Sequence, residues 1–241
     1  MVMQATRDSE SAQAVMTLAE MADFLKVGHK TLMRMAQDGE IPAAKVGGQW
    51  RFLREVIEDW LERRMQGVPK EELYQLVETA PAIVPVSRLI PRELILLDVR
   101  PGSKETVLAQ LLEPLQAEGL LNDPGPILEK LILRENMMST AIAPGVAFPH
   151  PRDPQVWDLA RPYVALGLCR DGTDFGALDH GKTHLFFLVC SGKEVTHLRL
   201  MAKMALLARE KSAMQQIRQA GTVDEVVCAL MEVDTKLVQH I

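Results

Sequence analysis

The sequence has few cysteines and no long apolar run, and these absences exclude several classes of protein. Of its 241 residues only three are cysteine, Cys169, Cys190 and Cys228, and none of them forms a CxxC pair. Widely spaced cysteines in odd number argue against a disulfide framework or a cysteine-rich zinc site, and they fit a reducing cytoplasm. The longest apolar runs, such as residues 185–190, have six residues, whereas a membrane span needs roughly 18–20. The first residues lack a basic region followed by an apolar stretch, so we expect no signal peptide.

The composition is that of a globular protein, and its charge is unevenly distributed. Hydrophobic residues make up 47% of the chain and charged residues 24%, with a formal net charge of −5. That charge disfavours nucleic acid as a partner, but residues 26–54 alone carry +4. A local basic patch on an acidic protein is compatible with DNA binding, because phosphate contacts act over about one Debye length. A mixed surface patch without a nucleic-acid partner is the alternative.

The distribution of proline and of apolar residues predicts two domains. We expect a flexible N-terminus at 1–15, a compact helical domain at 16–66 and a proline-rich linker at 67–84, in which residues 70–78 could form a short helix. From 85 to 241, strand-like apolar runs alternate with longer helical patterns, which is typical of an α/β domain. No internal repeat or low-complexity tract is present.

The first domain begins with a strong helix-start pattern. Thr17 and Glu20 have the spacing of a capping box, and the apolar residues from Leu18 to Leu25 recur at helical intervals. Gly28 follows, and we expect this glycine to supply the positive φ of a tight turn between helices. A second helix over residues 30–37 should bury Leu32, Met35 and Ala36.

Polar and basic side chains lie on the other face of the second helix and on a predicted hairpin. The hairpin spans residues 41–52 and turns at Gly47 and Gly48. A closing helix over 54–65 should bury Val56, Ile57, Trp60 and Leu61. The polar and basic side chains of the second helix and of the hairpin can contact base edges and phosphates in a major groove. The predicted DNA contacts are Lys30, Thr31, Arg34, Gln37, Lys45 and Arg51.

These features together resemble a known family. The stretch LAEMADFLKVGHKTLMRMAQDGEIPAAKVGGQWRF, followed by REVIEDWL, resembles the excisionase-type, MerR-related winged helix-turn-helix. The resemblance covers roughly fifty residues and implies a DNA-binding module. A helical module that binds protein is the alternative, since helix-turn-helix geometry alone does not fix function.

In the second domain one histidine is placed between prolines. His150 follows a short apolar stretch and lies between Pro149 and Pro151. Proline restricts the backbone, so the direction of the imidazole should be well defined. A neutral imidazole is a nucleophile toward phosphorus, and a phosphoryl group would bring roughly −1.5 to −2 charges that need nearby cations such as Arg134 and Arg152. His197 begins a predicted helix, whose free amide groups favour an anion.

The string LILRENMMSTAIAPGVAFPHPR resembles the fructose/mannitol-type enzyme IIA domains of the bacterial phosphotransferase system, including the nitrogen-regulatory branch. The resemblance covers about residues 85–241 and implies an α/β domain with a mixed sheet flanked by helices. It also implies that His150 accepts the phosphoryl group, that His197 orients or stabilises it, and that Arg134 pairs with it. The protein would then be a phosphoryl carrier rather than a classical enzyme.

Pro151 departs from the pattern of that family, in which the residue after the acceptor histidine is usually small. It removes an amide donor close to the phosphoryl position, so the domain could instead be only an allosteric or protein-binding module. A metal hydrolase that uses His150, His180, His184 and His197 is a further alternative, but no HxH or HExxH spacing supports it. His180 and His184 are expected to be structural.

The sequence thus predicts a small winged helix-turn-helix domain fused to an enzyme IIA-type domain. We expect a cytoplasmic regulator whose partners are an HPr-type phosphocarrier and double-stranded DNA, with no cofactor, no metal and no direct membrane insertion. Because tight specific binding usually uses paired half-sites, we also expect a homo-oligomer.

Overall fold

A computed structural model describes residues 15–54, 56–57, 60–61 and 84–238, and its side chains are described except for residues 194, 195, 237 and 238. The predicted linker helix at 70–78 lies outside the described residues, as do most of the N-terminal stretch and the end of the closing helix. The chain divides into two compact units, Met1–Gly67 and Val68–Ile241. Within the described part, no helix combines the length and the apolar character that crossing a membrane requires.

In the described part of the N-terminal unit, helices pack with a small antiparallel sheet. Its core is formed by Met21, Leu32, Ile41, Phe52 and Ile57, which are fully or almost fully buried. The sheet has the strand order β1-β3-β2 and includes a strand that was not predicted, β1. The elements are β1 (Val15–Thr17), α1 (Leu18–Leu25), α2 (His29–Gln37), β2 (Ala44–Val46) and β3 (Gln49–Leu53).

The capping box at the start of α1 is confirmed. The Thr17 hydroxyl accepts a hydrogen bond from the Glu20 amide at 3.3 Å, and the Glu20 carboxylate accepts one from the Thr17 amide at 2.8 Å. The hydrogen bond from the Thr17 amide, together with one that the Thr17 hydroxyl donates to the same carboxylate at 2.9 Å, holds the pKa of the Glu20 carboxyl below its usual range. The hairpin is also confirmed, with Gly47 at φ 58° and Gly48 at φ 80°.

Some local predictions in this unit are wrong. The positive φ between α1 and α2 belongs to Lys26, at 56°, where its amide closes α1 onto the carbonyls of Ala22 and Asp23. Gly28 has an extended backbone and begins α2 instead. Val56 is exposed rather than buried, because the buried side of this helical stretch is occupied by Ile57.

The C-terminal unit contains a mixed four-stranded sheet with helices packed against it. Its strand order is β4-β6-β7-β5; β6 and β7 are antiparallel, whereas β4 and β5 each run parallel to their neighbour. The strands are β4 (Ile95–Leu96), β5 (Val146–Ala147), β6 (Tyr163–Thr173) and β7 (Thr183–Cys190). The helices are α3 (Val86–Leu89), α4 (Lys104–Ala117), α5 (Gly125–Met137), α6 (Glu194–Arg209), α7 (Lys211–Gln219) and α8 (Val223–Val238).

One apolar core cluster of this unit lies between the sheet and helices α4 and α5. Leu108, Leu111 and Leu115 of α4 pack toward Ala165 and Phe186 of the central strands. Every residue of β7 is buried, as expected for a central strand with apolar partners on both sides. Burial raises the pKa of the Cys169 and Cys190 thiols, and no cysteine is in a disulfide. His150 follows the end of β5 and His197 follows the end of β7, so the sheet determines where these two histidines lie.

Candidate functional site

His150 lies directly beyond β5, on a segment that is held against β7. The Pro149 carbonyl accepts a hydrogen bond from the Val189 amide at 2.9 Å, which extends the pairing of β5 with β7. The ring of Phe148 stacks on that of Phe187, with 5.6 Å between centroids. His150 itself is 3% exposed. The prolines and the strand pairing together give this histidine a defined position.

The protonation of the His150 ring follows from its contact with the chain. Its Nδ1 atom lies 2.7 Å from the carbonyl oxygen of Phe148. A carbonyl can only accept a hydrogen bond, so Nδ1 carries the proton and the neutral ring has its lone pair on Nε2. The nitrogen that can act as a nucleophile is therefore Nε2.

The second predicted histidine lies beside the first. His197 is in the first turn of α6, where its amide donates to the Lys193 carbonyl at 2.9 Å, and it is buried. The centroids of the His150 and His197 rings are 5.1 Å apart, and their planes are inclined by 54°. Residues 47 positions apart in the sequence thus form one pair of imidazoles at the N-terminus of a helix.

Arg134 lies in the last turn of α5 and is buried. Its Nη1 atom donates to the Met138 carbonyl at 2.8 Å, so the guanidinium is held by the segment that leads from α5 toward β5. Arg152, the other predicted cation, contacts the sulfur of Met137 through Nη1 at 3.2 Å. Both arginines are thus tied to the C-terminal end of α5.

Three groups of this region were not predicted to have a role. They are the carbonyl of Phe148, the carboxylate of Glu135, which is 2% exposed, and the ammonium of Lys104, which lies 3.6 Å from that carboxylate. Glu135 stands beside Arg134 in the sequence, and the available signal was an acidic residue four positions after the apolar Leu131, on the buried side of α5. Lys104 gave no such signal, since it is 31 positions away.

The remaining histidines of the second domain lie elsewhere. His180 is exposed in a turn after β6, with φ at 55°. His184 is buried in β7, where Nε2 accepts a hydrogen bond from Arg218 Nη2 at 2.9 Å and Nδ1 faces the carbonyls of Cys169 and Arg170. Among the described residues, no three histidine, cysteine or acidic side chains are grouped so that they could hold a metal ion.

In the N-terminal unit, α2 presents the predicted DNA contacts on its exposed side. Lys30, Thr31, Arg34 and Gln37 are all exposed, whereas Leu32 and Ala36 face the core. Met35, predicted to be buried, is partly exposed at the edge of that core. Arg34 is not isolated, because its Nη1 atom lies 3.3 Å from Asp38 and 3.5 Å from Glu40.

The hairpin β2–β3 carries the other two predicted contacts. The Lys45 ammonium lies 5.8 Å from the centroid of the Trp50 ring. The Arg51 guanidinium donates to the Trp50 carbonyl at 3.0 Å and to the Gln49 side chain at 2.8 Å. Both cations are therefore held by neighbours on the hairpin, which presents them next to its Gly47–Gly48 turn.

Comparison with known families assigns both parts of the chain. Residues 88–233 match the family "Phosphoenolpyruvate-dependent sugar phosphotransferase system, EIIA 2", and residues 15–65 match a helix-turn-helix domain family. The first match covers more than half of the chain, and the two matches follow one another in the order of the two units.

Individual relatives agree with the assignment of the second unit. A nitrogen regulatory protein of Pseudomonas aeruginosa is 29% identical over 140 residues, which are 57% of this chain and 89% of the relative. The fructose-specific EIIABC component of Bacillus subtilis is 28% identical over 144 residues, 59% of this chain but only 22% of that protein. The crystal structure of the nitrogen regulatory protein IIA-Ntr from Neisseria meningitidis superimposes with a TM-score of 0.52 and 25% identity, covering 60% of this chain and 98% of that one.

Proposed function

The chain belongs to the EIIA 2 family of the phosphoenolpyruvate-dependent sugar phosphotransferase system, with a helix-turn-helix domain before it, and from this premise we propose its function. It is a cytoplasmic regulator that accepts a phosphoryl group on His150 from an HPr-type phosphocarrier. The phosphorylation state of His150 then alters DNA binding by the N-terminal unit and so controls transcription. The observation that carries the proposal is the 2.7 Å contact between His150 Nδ1 and the Phe148 carbonyl.

That contact keeps the proton on Nδ1 and leaves the lone pair of the neutral ring on Nε2, the atom that attacks in the proposed transfer. The lone pair of His150 Nε2 attacks the phosphorus atom of the phosphohistidine on the carrier. The bond between phosphorus and the carrier's nitrogen breaks, and its electron pair returns to the carrier's imidazole. Positive charge develops on the His150 ring as the new bond forms, and the Phe148 carbonyl stabilises it through the retained Nδ1 proton. In-line transfer of this kind depends mainly on positioning and on electrostatic stabilisation.

The incoming group brings roughly −1.5 to −2 charges at neutral pH, and the surroundings of His150 suit it. His197 stands 5.1 Å away between ring centroids and lies in the first turn of α6, where backbone amides favour an anion. Arg134 supplies a guanidinium from the end of α5. In this proposal His197 orients the phosphoryl group and Arg134 balances its charge.

Phosphorylation of the intact protein tests the proposal. Incubation with phosphoenolpyruvate, enzyme I and HPr should label the wild type, and His150→Ala should abolish the label. His180→Ala is the matched control, since His180 is exposed in a turn, and it should be labelled like the wild type. A stable phosphohistidine that survives His150→Ala would exclude His150 as the acceptor. Absence of label with several HPr-type carriers would favour a binding module without phosphotransfer. The physical reason would be that Pro151 has no amide proton to donate near the phosphoryl position.

The proposed DNA interface places α2 in the major groove and the β2–β3 hairpin on the phosphate backbone. Lys30, Thr31, Arg34 and Gln37 would approach bases and phosphates, and Lys45 and Arg51 would contact the backbone. A homo-oligomer would present two such modules to paired half-sites. DNA selected from a random library should bind the phosphorylated and unphosphorylated protein with different affinities, and light scattering should show more than one chain per particle. Equal affinities of the two forms would exclude the coupling.

A further inference from the structure

A buried carboxylate at the end of α5, next to Arg134, binds the segment that leads from α5 toward His150. We propose that Glu135, supported by Lys104, is a positioning residue that holds His150 in its Nδ1-protonated tautomer by fixing Thr140. The inference rests on the proposed function for its biological meaning, but it concerns the unphosphorylated protein and can be tested there.

The first step is the link between Glu135 and Thr140. The Glu135 carboxylate accepts hydrogen bonds from the Thr140 amide at 3.0 Å and from the Thr140 hydroxyl at 2.7 Å. Both residues are only 2% exposed, so these bonds are shielded from water. Charge-assisted hydrogen bonds in such surroundings are short and strong. Glu135 thus fixes both the backbone and the side chain of Thr140.

Lys104 balances the charge of that carboxylate. Its Nζ atom lies 3.6 Å from Glu135 Oε1 and donates to the Glu135 carbonyl at 3.1 Å. The same ammonium lies 5.9 Å from the centroid of the Phe175 ring. A buried carboxylate without a cation is costly. Lys104, at the start of α4, is therefore the cation that the structure places beside this carboxylate.

The second step leads from Thr140 to the imidazole. The Thr140 carbonyl accepts a hydrogen bond from the Phe148 amide at 3.1 Å. The Phe148 carbonyl, at the other end of the same residue, accepts the His150 Nδ1 proton at 2.7 Å. Any displacement of Thr140 therefore moves the group that selects the His150 tautomer.

The same segment also holds Arg134. Its guanidinium donates to the carbonyl of Met138, two residues before the Thr140 that Glu135 binds. Arg134 and Glu135, which are adjacent in the sequence, thus both form hydrogen bonds with the segment 138–140. Glu135 touches no reacting atom through these contacts, so its expected effect is on geometry and tautomer rather than on the chemistry itself.

The test compares variants of the full chain that break single links. Glu135→Gln removes the charge, Lys104→Met removes the counter-charge, and Thr140→Val removes the hydroxyl while keeping the shape of the side chain. Thr140→Ser restores the hydroxyl and is the conservative rescue. Glu129→Gln and Lys130→Met are matched controls, since both side chains are exposed on α5.

The decisive readout is the ¹⁵N resonance pattern of the His150 ring, which distinguishes a protonated Nδ1 from a protonated Nε2. Wild type, Thr140→Ser and both controls should show protonated Nδ1. Glu135→Gln, Lys104→Met and Thr140→Val should show a mixture of tautomers. Unchanged ring resonances in folded Glu135→Gln and Thr140→Val would overturn the proposal. If Glu135→Gln does not fold, Thr140→Val against Thr140→Ser decides the matter.

The rate of phosphorylation gives the second readout. Misplacement of a reacting group by about 1 Å can cost roughly 100-fold in rate, so the three breaking variants should be phosphorylated about 10- to 100-fold more slowly than wild type. Thr140→Ser should recover most of that loss. If the wild type accepts no phosphoryl group at all, the proposed function fails, whereas the ring resonances still decide whether Glu135 positions His150.

Discussion

The sharpest stability test of the fold concerns Gly172, near the end of β6. Its φ is +63°, and a Cβ atom placed on it would lie 2.5 Å from Cε1 and 2.7 Å from Nε2 of His184. An L-residue at positive φ costs about 1–2 kcal/mol, and forcing an extra carbon into a packed region adds about 1–3 kcal/mol. Gly172→Ala should therefore lower the free energy of unfolding by about 2–5 kcal/mol.

The size of this loss depends on whether His184 can move aside. Its ring is held at both nitrogens, by Arg218 Nη2 at 2.9 Å and by the carbonyls of Cys169 and Arg170 at 3.2 Å each. A guanidinium can only donate, so Nε2 must accept and the ring must be neutral with a proton on Nδ1. Rotation away from a new methyl group would break these bonds at a buried position, which costs more than it relieves.

The assay is urea unfolding of the full chain, followed by the amide signals of β6 and β7 so that the C-terminal unit is observed separately. Gly119→Ala is the control, because Gly119 also has a positive φ, +67°, but no atom lies within 4 Å of the added carbon. It should cost only the backbone part, about 1–2 kcal/mol. Removing the His184 ring in the Gly172→Ala background should recover part of the loss. Equal destabilisation by Gly172→Ala and Gly119→Ala would refute the reasoning.

Two further predictions concern charged side chains. Lys30→Ala should weaken DNA binding similarly for all sequences and reduce the slope of log K against log salt by about 1, measured by titration at several salt concentrations. Burial lowers the pKa of Lys203 below its usual 10.5, so the unfolded chain binds more protons between that lowered pKa and 10.5 and stability should rise with pH in this window. Lys203→Met should be about 1 kcal/mol more stable at neutral pH, since the carbonyl that Lys203 contacts belongs to the exposed residue Val84 and can bind water instead. This advantage should shrink in unfolding experiments at rising pH; an advantage that does not change with pH would contradict the argument.

Features set by neighbouring residues were predictable from the sequence, and those set by distant pairing were not. The Thr17–Glu20 capping box and the Gly47–Gly48 hairpin turn both follow from local chemistry, and both are present. Strand β1 was missed because its pairing joins Val15 to Leu53, and three residues give no periodic pattern. The positive φ at Lys26 was assigned to Gly28, since sequence alone favours glycine at such positions.

In the histidine pair, too, local features were predictable from the sequence and distant contacts were not. The proline-flanked position of His150 and the position of His197 near a helix start were visible in the sequence, although the helix begins at Glu194 and not at His197. The proximity of the two histidines is a property of the fold. The Lys104–Glu135–Thr140 contacts were not predictable, because Lys104 comes from another helix and a buried ion pair has no periodic signal. The charged side chains that organise the loop before His150 thus required the structure, whereas the proposed nucleophile did not.

The structure also changes what the local charge of +4 in residues 26–54 means for DNA binding. Arg34 lies on the exposed face of α2, yet Asp38 and Glu40 lie within 3.5 Å of it. These pairs are exposed, with 61% of the Arg34 side chain accessible, so each is worth at most about 1 kcal/mol. A phosphate can therefore replace them at small cost. Because both acidic residues stay near the interface after that exchange, they oppose non-specific attraction to the backbone more than they oppose a bidentate contact to one base edge. At the proposed DNA interface, the charge pattern around α2 therefore favours selective over non-selective binding, which a formal charge count does not show.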